Sequence, residues 1–209
     1  MNSSETTKEV PIIGISRHRL GRDGKGVTTL VAFHGCTLRC RYCLNPQCLS
    51  NGNNLKEWTP EEVMNVLLKD ELYYIASCGG ATFGGGEPLL WPGFIIDVLD
   101  LGAKRWHTTI ETSLNVPFVN IERLLPYIDE YVIDIKDMNP QVYEEYTGKD
   151  NQLVISNLKK MVEIGLASRM ICRIPLIPGF NNINDQSESE RELRNMGFTR
   201  IDKFNYIIK

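Results

Sequence analysis

The sequence predicts an α/β protein that folds as a partial (β/α)6 barrel, in a single domain covering residues 1–209. Two observations favour this fold. Six short segments rich in β-branched or aromatic residues follow one another along the chain, as expected for strands. Helical patterns fill the intervals, and each unit spans roughly 30 residues, the size of one βα unit. This alternation is typical of a parallel sheet with too few units for a closed eightfold barrel. An open doubly wound sheet is the alternative.

The predicted strands cover residues 28–33, 81–83, 108–111, 131–135, 170–174 and 201–206. The clearest helix begins with a capping box, in which Thr59 caps, Pro60 takes the first helical position and Glu62 completes the box. Another helix begins at about Gln152 and ends near Gly165. Its predicted apolar face consists of Val154, Leu158, Met161 and Val162.

Composition and charge narrow the class of protein. The chain has 209 residues, of which 42% are hydrophobic and 23% charged, as in an ordinary globular domain. A net charge of -3 gives no basic field for a phosphate backbone, so we expect no nucleic-acid partner. Residues 1–11 lack the apolar run of a signal peptide, and no later stretch is long enough to span a membrane. We therefore expect a cytoplasmic protein with reduced cysteines, of which the isolated Cys78 and Cys172 are predicted to be buried.

Three cysteines, Cys36, Cys40 and Cys43, follow the first predicted strand at CxxxCxxC spacing. A compact loop can place such thiolates around one metal ion or one iron-sulfur cluster, because zinc and iron both accept thiolates. A closed structural site takes four ligands, whereas three ligands leave one iron open to bind a substrate. The alternative is a zinc site completed by Cys48 or His34.

A glycine-rich segment, residues 79–88, follows at the end of the next predicted strand and carries five glycines before Glu87 and Pro88. Residues without Cβ let a ligand approach the backbone closely, so this segment is predicted to be a binding loop rather than a simple tight turn. Neither a GxxxxGK[ST] loop nor a GxGxxG pattern occurs, so the loop does not indicate a nucleotide triphosphate.

Charged and polar residues stand at the ends of the later predicted strands, namely Glu111, Thr112, Asp134, Lys136 and Arg173. A charge within an apolar strand is costly unless it is paired or bound. Internal salt bridges are one explanation. In a β/α barrel, however, the carboxyl ends of the strands form the active face, where the cysteine loop and the glycine loop also lie.

With these motifs in this order, the chain resembles the radical SAM superfamily (SAM is S-adenosylmethionine), and within it the activating enzymes of glycyl radical enzymes. The resemblance covers most of the chain. It rests on the cysteine triad followed by Asn45-Pro46 and on the segments 82–90 (TFGGGEPLL), 134–138 (DIKDM), 146–148 (YTG) and 173–179 (RIPLIPG).

This resemblance implies that Cys36, Cys40 and Cys43 hold one [4Fe-4S] cluster whose open iron binds SAM. The SAM-binding residues it implies are Tyr42 beside the adenine, Gly85, Gly86 and Glu87 at the amino group, Ile135 within the DIKDM segment, and Lys136 and Arg173 at the carboxylate. It also places Glu111, Thr112 and Asp134 at a monovalent-cation or SAM-binding site. The cofactors carry the radical chemistry, so no side chain is expected to act as acid or base.

The implied activity is anaerobic removal of a hydrogen atom from a glycine of a large glycyl radical enzyme, with a flavodoxin or ferredoxin as electron donor. The alternatives are a radical SAM enzyme that modifies a peptide or small metabolite, and a non-catalytic zinc or electron-transfer protein. The chain departs from the family pattern at Lys25, Thr28 and Gly84, and residues 204–206 replace a segment that often carries a histidine. It also lacks a ferredoxin-like cysteine-rich insert.

Overall fold

A computed structural model describes residues 9–21, 23–51, 55–102 and 105–207 of the chain. The prediction about residues 1–11 therefore lies outside the described residues, except for residues 9–11. In these ranges the strands form one eight-stranded sheet with the order β3-β1-β2-β4-β5-β6-β7-β8. Among the described helices, none combines the length and the apolar character that crossing a membrane requires.

The strands are β1 Val10–Leu20, β2 Val27–Phe33, β3 Glu57–Trp58, β4 Gly80–Gly85, β5 His107–Thr112, β6 Glu130–Asp134, β7 Met170–Leu176 and β8 Ile201–Asn205. From β2 to β8, neighbours in the sheet pair in parallel, as the sequence predicts. The α/β class and the partial barrel are thus confirmed. Two strands were not predicted from the sequence: β1, which pairs antiparallel with β2, and β3, which pairs antiparallel with β1. The outer half of β1 is polar and largely exposed, so it lacks the apolar pattern of a buried strand.

The helices are α1 Pro60–Leu67, α2 Glu71–Ser77, α3 Pro92–Asp100, α4 Phe118–Glu122, α5 Pro140–Thr147, α6 Gln152–Glu163 and α7 Ile183–Met196. The predicted capping box is present, since the side chain of Thr59 accepts from the Glu62 amide and Glu62 accepts from the Thr59 amide. The helix predicted from Gln152 begins there and ends at Glu163, with Gly165 in the left-handed conformation just beyond it.

The two faces of the parallel sheet differ in polarity. On the face covered by helices, Phe33 packs against Phe83 and against Phe94 of α3, with ring centroids 6.2 and 6.0 Å apart. Because side chains alternate along a strand, the next residues point into the barrel. This inner face carries Thr82, Thr109, Glu111, Asp134 and Arg173. The apolar core therefore lies between the sheet and the helices, and the barrel interior is polar.

The loop between β1 and β2 closes the barrel at the amino ends of the strands. The hydroxyl of Thr82 donates to the carbonyl oxygen of Asp23, and Arg19 pairs with the Asp23 carboxylate. Gly24 has a φ of 128°, and a Cβ there would lie 2.8 Å from the Thr109 hydroxyl. The altered residue Lys25 thus stands at the opposite end of the barrel from the cysteine triad, which follows the carboxyl end of β2.

Asp70 joins the β1–β2 hairpin to the link between α1 and α2. Its carboxylate is fully buried and accepts from Arg17 at 2.8 and 2.6 Å, and the His18 Nε2 atom lies 2.8 Å away. The Thr29 hydroxyl donates to the same group at 3.2 Å and accepts from the Tyr74 hydroxyl at 2.6 Å. The hydrogen bond from Arg17 outweighs burial and lowers the pKa of Asp70. Asp70 is therefore ionised at neutral pH and stabilises the hairpin against the sheet.

Replacing Asp70 by asparagine is expected to lower the free energy of unfolding at pH 7 by about 2 to 3 kcal/mol, because a buried carboxylate partner of Arg17 is lost. Since the folded-state pKa is lowered, this contribution is complete above a pH of about 4, the unfolded value, and is lost as the pH falls further. Urea unfolding at pH 7 and at pH 3 measures both effects. The exposed pair of Glu188 and Arg191 supplies the control, because Glu188→Gln should cost less than about 0.5 kcal/mol. Equal unfolding curves for Asp70→Asn and the parent chain would contradict this role.

Candidate active site

The three predicted ligand cysteines lie on one irregular loop that leaves the carboxyl end of β2. Cys36, Cys40 and Cys43 are all partly exposed, and the loop ends in a short 3-10 helix, Pro46–Leu49. Cys172 is buried as predicted. The prediction that Cys78 is buried is wrong, because Cys78 ends α2 in the left-handed conformation, with a φ of 56°, and is exposed.

Cys48, predicted only as an alternative zinc ligand, is buried next to the triad. Interaction with the Cys48 thiol lowers the pKa of Cys36, and it lowers the pKa of Cys43 to about 6. Burial raises the pKa of Cys40 to about 11, and the positive charge of Lys136 opposes this increase. The Cys48 thiol therefore favours the thiolate form of Cys36 and of Cys43.

The arrangement of donors fits a cluster better than a single ion. Over the described ranges, no three side chains of histidine, cysteine, aspartate or glutamate converge as one metal ion would require. A zinc ion needs four ligands at about 2.0 to 2.3 Å from one point. A [4Fe-4S] cluster instead offers each thiolate a separate iron, so its ligands surround the cluster. The triad, on one loop and partly exposed, suits the second arrangement.

The glycine loop supports the cysteine loop through the backbone. The amide of Gly86 donates to the Phe33 carbonyl at 2.9 Å, and the amide of Glu87 donates to the Gly35 carbonyl at 2.8 Å. The side chain of Asn45 donates to the Gly85 carbonyl at 3.0 Å. A Cβ on Gly86 would lie 2.0 Å from the Gly35 carbonyl oxygen. Gly86 is therefore required for contact between the two loops, and not only for space beside a ligand.

The YTG segment supports the cysteine loop from a second side. The amide of Arg39 donates to the Thr147 carbonyl at 2.9 Å, and the amide of Arg41 donates to the Tyr146 carbonyl at 3.0 Å. These carbonyls belong to the last turn of α5, which Gly148 ends with a φ of 72°. The carboxyl end of α5 thus holds the backbone on both sides of Cys40.

An aromatic cluster closes the third side. The ring of Tyr42 lies 5.5 Å from that of Phe180, 6.2 Å from that of Tyr146 and 6.4 Å from that of Tyr206. The Tyr206 hydroxyl donates to the Tyr42 carbonyl. The contact between these two residues has no local sequence signal, because they are 164 positions apart. The aromatic neighbours fix the orientation of the Tyr42 ring. Contact between this ring and an adenine stays a prediction.

The charged residues predicted at the strand ends come together inside the barrel mouth. Lys136 Nζ lies 2.8 Å from Asp134 Oδ2, and Arg173 lies 3.5 Å from Glu111 Oε1. Burial would raise the pKa of Asp134, but Lys136 and Arg173 outweigh it and leave that pKa lowered. Burial would lower the pKa of Lys136, but Asp134 and Cys40 outweigh it and raise that pKa. Asp134 and Lys136 are therefore both charged at neutral pH.

These pairs leave two polar atoms unsatisfied in the described part of the chain. Asp134 Oδ1 is buried without a hydrogen-bond donor, and Arg173 Nε is buried without an acceptor, since Asp202 stands 3.6 Å away. One atom can accept from an ammonium group and the other can donate to a carboxylate. The amino-acid end of SAM carries both groups, so the site fits that ligand. Lys136 has a φ of 62°, and such strain in a non-glycine residue is typical of functional sites.

Other predicted contacts are engaged within the protein. The carboxylate of Glu87 is fully buried and accepts from the Leu89 amide, the Thr112 hydroxyl and both the amide and hydroxyl of Ser113, at 2.7 to 3.2 Å. Burial raises the pKa of Glu87 against these bonds. The side chain of Ile135 is also buried. The side chains of Glu87 and Ile135 are therefore not available to a cofactor. Contact between a cofactor and these two residues stays a prediction.

Comparisons with known proteins agree with this geometry. The model of the radical SAM superfamily matches residues 30–186. The pyruvate formate-lyase-activating enzyme of Clostridium pasteurianum is 37% identical over 83% of this chain and 71% of its own length. The (2S)-3-sulfopropanediol dehydratase activating enzyme of Klebsiella oxytoca is 35% identical over 83% of this chain, which spans only 55% of that protein.

Solved structures show the same fold at low identity. Streptococcus suis SuiB bound to S-adenosylmethionine superposes with a TM-score of 0.62 at 19% identity, over 85% of this chain and 42% of that one. HydG, a maturase of the [FeFe]-hydrogenase, superposes with a TM-score of 0.64 at 16% identity, over 87% of this chain and 42% of that one.

Iron analysis distinguishes the triad from Cys48. After anaerobic reconstitution, Cys48→Ala is expected to retain the four irons of one cluster, because Cys48 is buried whereas the three triad cysteines are partly exposed on one loop. Cys36→Ala, Cys40→Ala and Cys43→Ala should each lose most of the iron. Iron and sulfide content and the visible absorption spectrum measure this. A Cys48→Ala chain without iron, beside a triad variant that keeps it, would reverse the assignment.

Proposed function

The chain belongs to the radical SAM superfamily, and on that premise we propose that it activates a glycyl radical enzyme by removing a hydrogen atom from a glycine of that partner. The observation that carries this proposal is the similarity to activating enzymes across most of the chain. The family uses a [4Fe-4S] cluster and SAM, and when bound these supply the electron and the carbon radical for hydrogen abstraction. The remaining task of the protein is to bind and orient the cluster, SAM and the target glycine, and to exclude water from them.

The ligands in this proposal are Cys36, Cys40 and Cys43 for the cluster. Lys136 and Arg173 bind the SAM carboxylate, because both are held as cations at the barrel mouth and Arg173 Nε has no acceptor among the described residues. Asp134 Oδ1 accepts from the amino group, or Asp134 and Glu111 with Thr112 hold a monovalent cation. The hydroxyl of Thr112 donates to Glu87, and its oxygen accepts from the Leu114 amide at 2.9 Å, which favours the role of Asp134 at SAM.

Access for a protein substrate is supported by the open side of the barrel. β8 pairs only with β7 within the described sheet. Beside its end lies a groove of about 640 Å³, lined in part by Leu176, Pro178, Asn205 and Tyr206. Tyr206 also contacts the cysteine loop, so a loop of the partner lying in this groove would approach the cluster from the side. The partner surface would then exclude water from the radical.

The electron donor in this proposal is a flavodoxin or ferredoxin. Arg41 is exposed on the cysteine loop and offers a positive charge to such an acidic protein. Arg39 is less available, because its guanidinium donates to the carbonyls of Cys36 and Leu38 at 3.0 Å.

Lys136→Met is expected to weaken SAM binding by roughly tenfold to a hundredfold, because a charge-assisted hydrogen bond to the carboxylate is lost. The iron content should not change. Equilibrium titration of the reconstituted protein with SAM measures the affinity, and 5′-deoxyadenosine formation with dithionite measures cleavage. Lys203→Met is the matched control, because Lys203 is exposed and pairs with Glu190 on α7. Equal SAM affinity in both variants would remove Lys136 from the site.

The activity itself is tested on a candidate glycyl radical enzyme from the genome that encodes this chain. Mixed anaerobically with the reduced enzyme and SAM, that protein is expected to show a glycine-centred doublet in electron paramagnetic resonance. Deuterium from a labelled target glycine should appear in 5′-deoxyadenosine. If the label instead arrives from a peptide or small metabolite, and never from the glycine, the chain is a radical SAM enzyme of another activity.

A further inference from the structure

Tyr143 on α5 carries a buried hydroxyl that the roles described above do not use. Its side chain is fully buried, and the hydroxyl has no hydrogen-bond partner among the described residues. Buried polar groups are nearly always hydrogen-bonded, because an unmade bond costs free energy. The hydroxyl therefore indicates a partner that the polypeptide itself does not supply.

The position of Tyr143 points to the cysteine loop. Tyr146 and Thr147, whose carbonyls hold the amides of Arg41 and Arg39, lie three and four residues after Tyr143. Tyr143 thus lies one turn before the end of α5 that holds the backbone on both sides of Cys40. Burial raises the pKa of Tyr143, and the charges that act on its hydroxyl are those of Lys136, Cys40, Glu87 and Cys36.

The charged groups that act on this hydroxyl do not accept a hydrogen bond from it. Lys136 is a donor and is paired with Asp134 at 2.8 Å. Each carboxylate oxygen of Glu87 already accepts two hydrogen bonds, from Leu89, Thr112 and Ser113. The thiols of Cys40 and Cys36 do not accept from it in the described structure, so the sulfur atoms of the cluster that these two residues would hold are the acceptors that remain.

We infer that Tyr143 donates a hydrogen bond to a sulfur atom on the Cys40 side of the cluster, and that this bond raises the reduction potential of the cluster. Reduction adds negative charge to the sulfurs, so a donor stabilises the reduced form more than the oxidised form. Tyr143 is in this sense a positioning and tuning residue. The inference rests on the cluster of the proposed function but not on the identity of its protein target.

Tyr143→Phe tests the inference in the full, reconstituted chain without SAM or a partner. The midpoint potential of the cluster should become more negative, so that at a fixed potential the ratio of reduced to oxidised cluster falls about fivefold. Potentiometric titration followed by electron paramagnetic resonance measures the ratio. Because no partner is present, failure of glycyl radical formation would not affect this result.

Tyr131→Phe is the matched control. Tyr131 is also fully buried with an unpaired hydroxyl, but it lies near the start of β6, where the charge that acts on it is that of Arg169. The same loss of one oxygen there should leave the potential unchanged. Equal shifts in both variants would mean that the effect is a general consequence of altered packing, and would overturn the inference.

An unchanged potential and a loss of iron in Tyr143→Phe are the two other possible outcomes. An unchanged potential in Tyr143→Phe with full iron content overturns the inference, and a loss of SAM affinity beside it would assign the hydroxyl to SAM. If Tyr143→Phe does not retain iron, 3-fluorotyrosine at position 143 keeps the ring and makes the hydroxyl a stronger donor. The potential should then become more positive, and the absence of that shift would overturn the inference.

Discussion

The rest of the site depends on the support of one irregular loop by its neighbours. The loop that carries Cys36, Cys40 and Cys43 has no regular secondary structure until Pro46, so its backbone groups need partners elsewhere. The glycine loop, the last turn of α5 and the hydroxyl of Tyr206 supply them from three sides. The GGE and YTG segments therefore support the cluster site through their backbones.

The charged side chains at the barrel mouth also depend on partners within the protein. Lys136 with Asp134, and Arg173 with Glu111, form ion pairs that stabilise partly buried charges without a cofactor. Salt bridges and ligand binding are thus not competing explanations for these residues. The same pairs leave Asp134 Oδ1 and Arg173 Nε without hydrogen-bond partners, and these two atoms are complementary to the amino and carboxylate groups of SAM in the proposed function.

The two ends of the barrel have different roles, as in other β/α barrels: contacts at the amino ends of the strands stabilise the fold, and the candidate site lies at the carboxyl ends. At the amino ends, Asp23 and Gly24 fill the interior, while Asp70 fastens the antiparallel hairpin through Arg17. At the carboxyl ends, the cysteine loop and the charged residues form the candidate site. The departure at Lys25 thus lies where the loop closes the barrel, remote from the cysteines.

The sequence by itself determined the six parallel strands, the capped helices and the cysteine triad, because periodicity, capping and ligand spacing are local properties of the chain. It did not reveal β1, whose outer half is polar, or the exposure of Cys78. Only the tertiary structure decided that Cys48 is buried next to the triad, that the Glu87 carboxylate is hydrogen-bonded within the protein and that Tyr143 is buried near the site. These facts depend on contacts between residues distant in sequence, and such contacts leave no periodic or spacing signal in the chain.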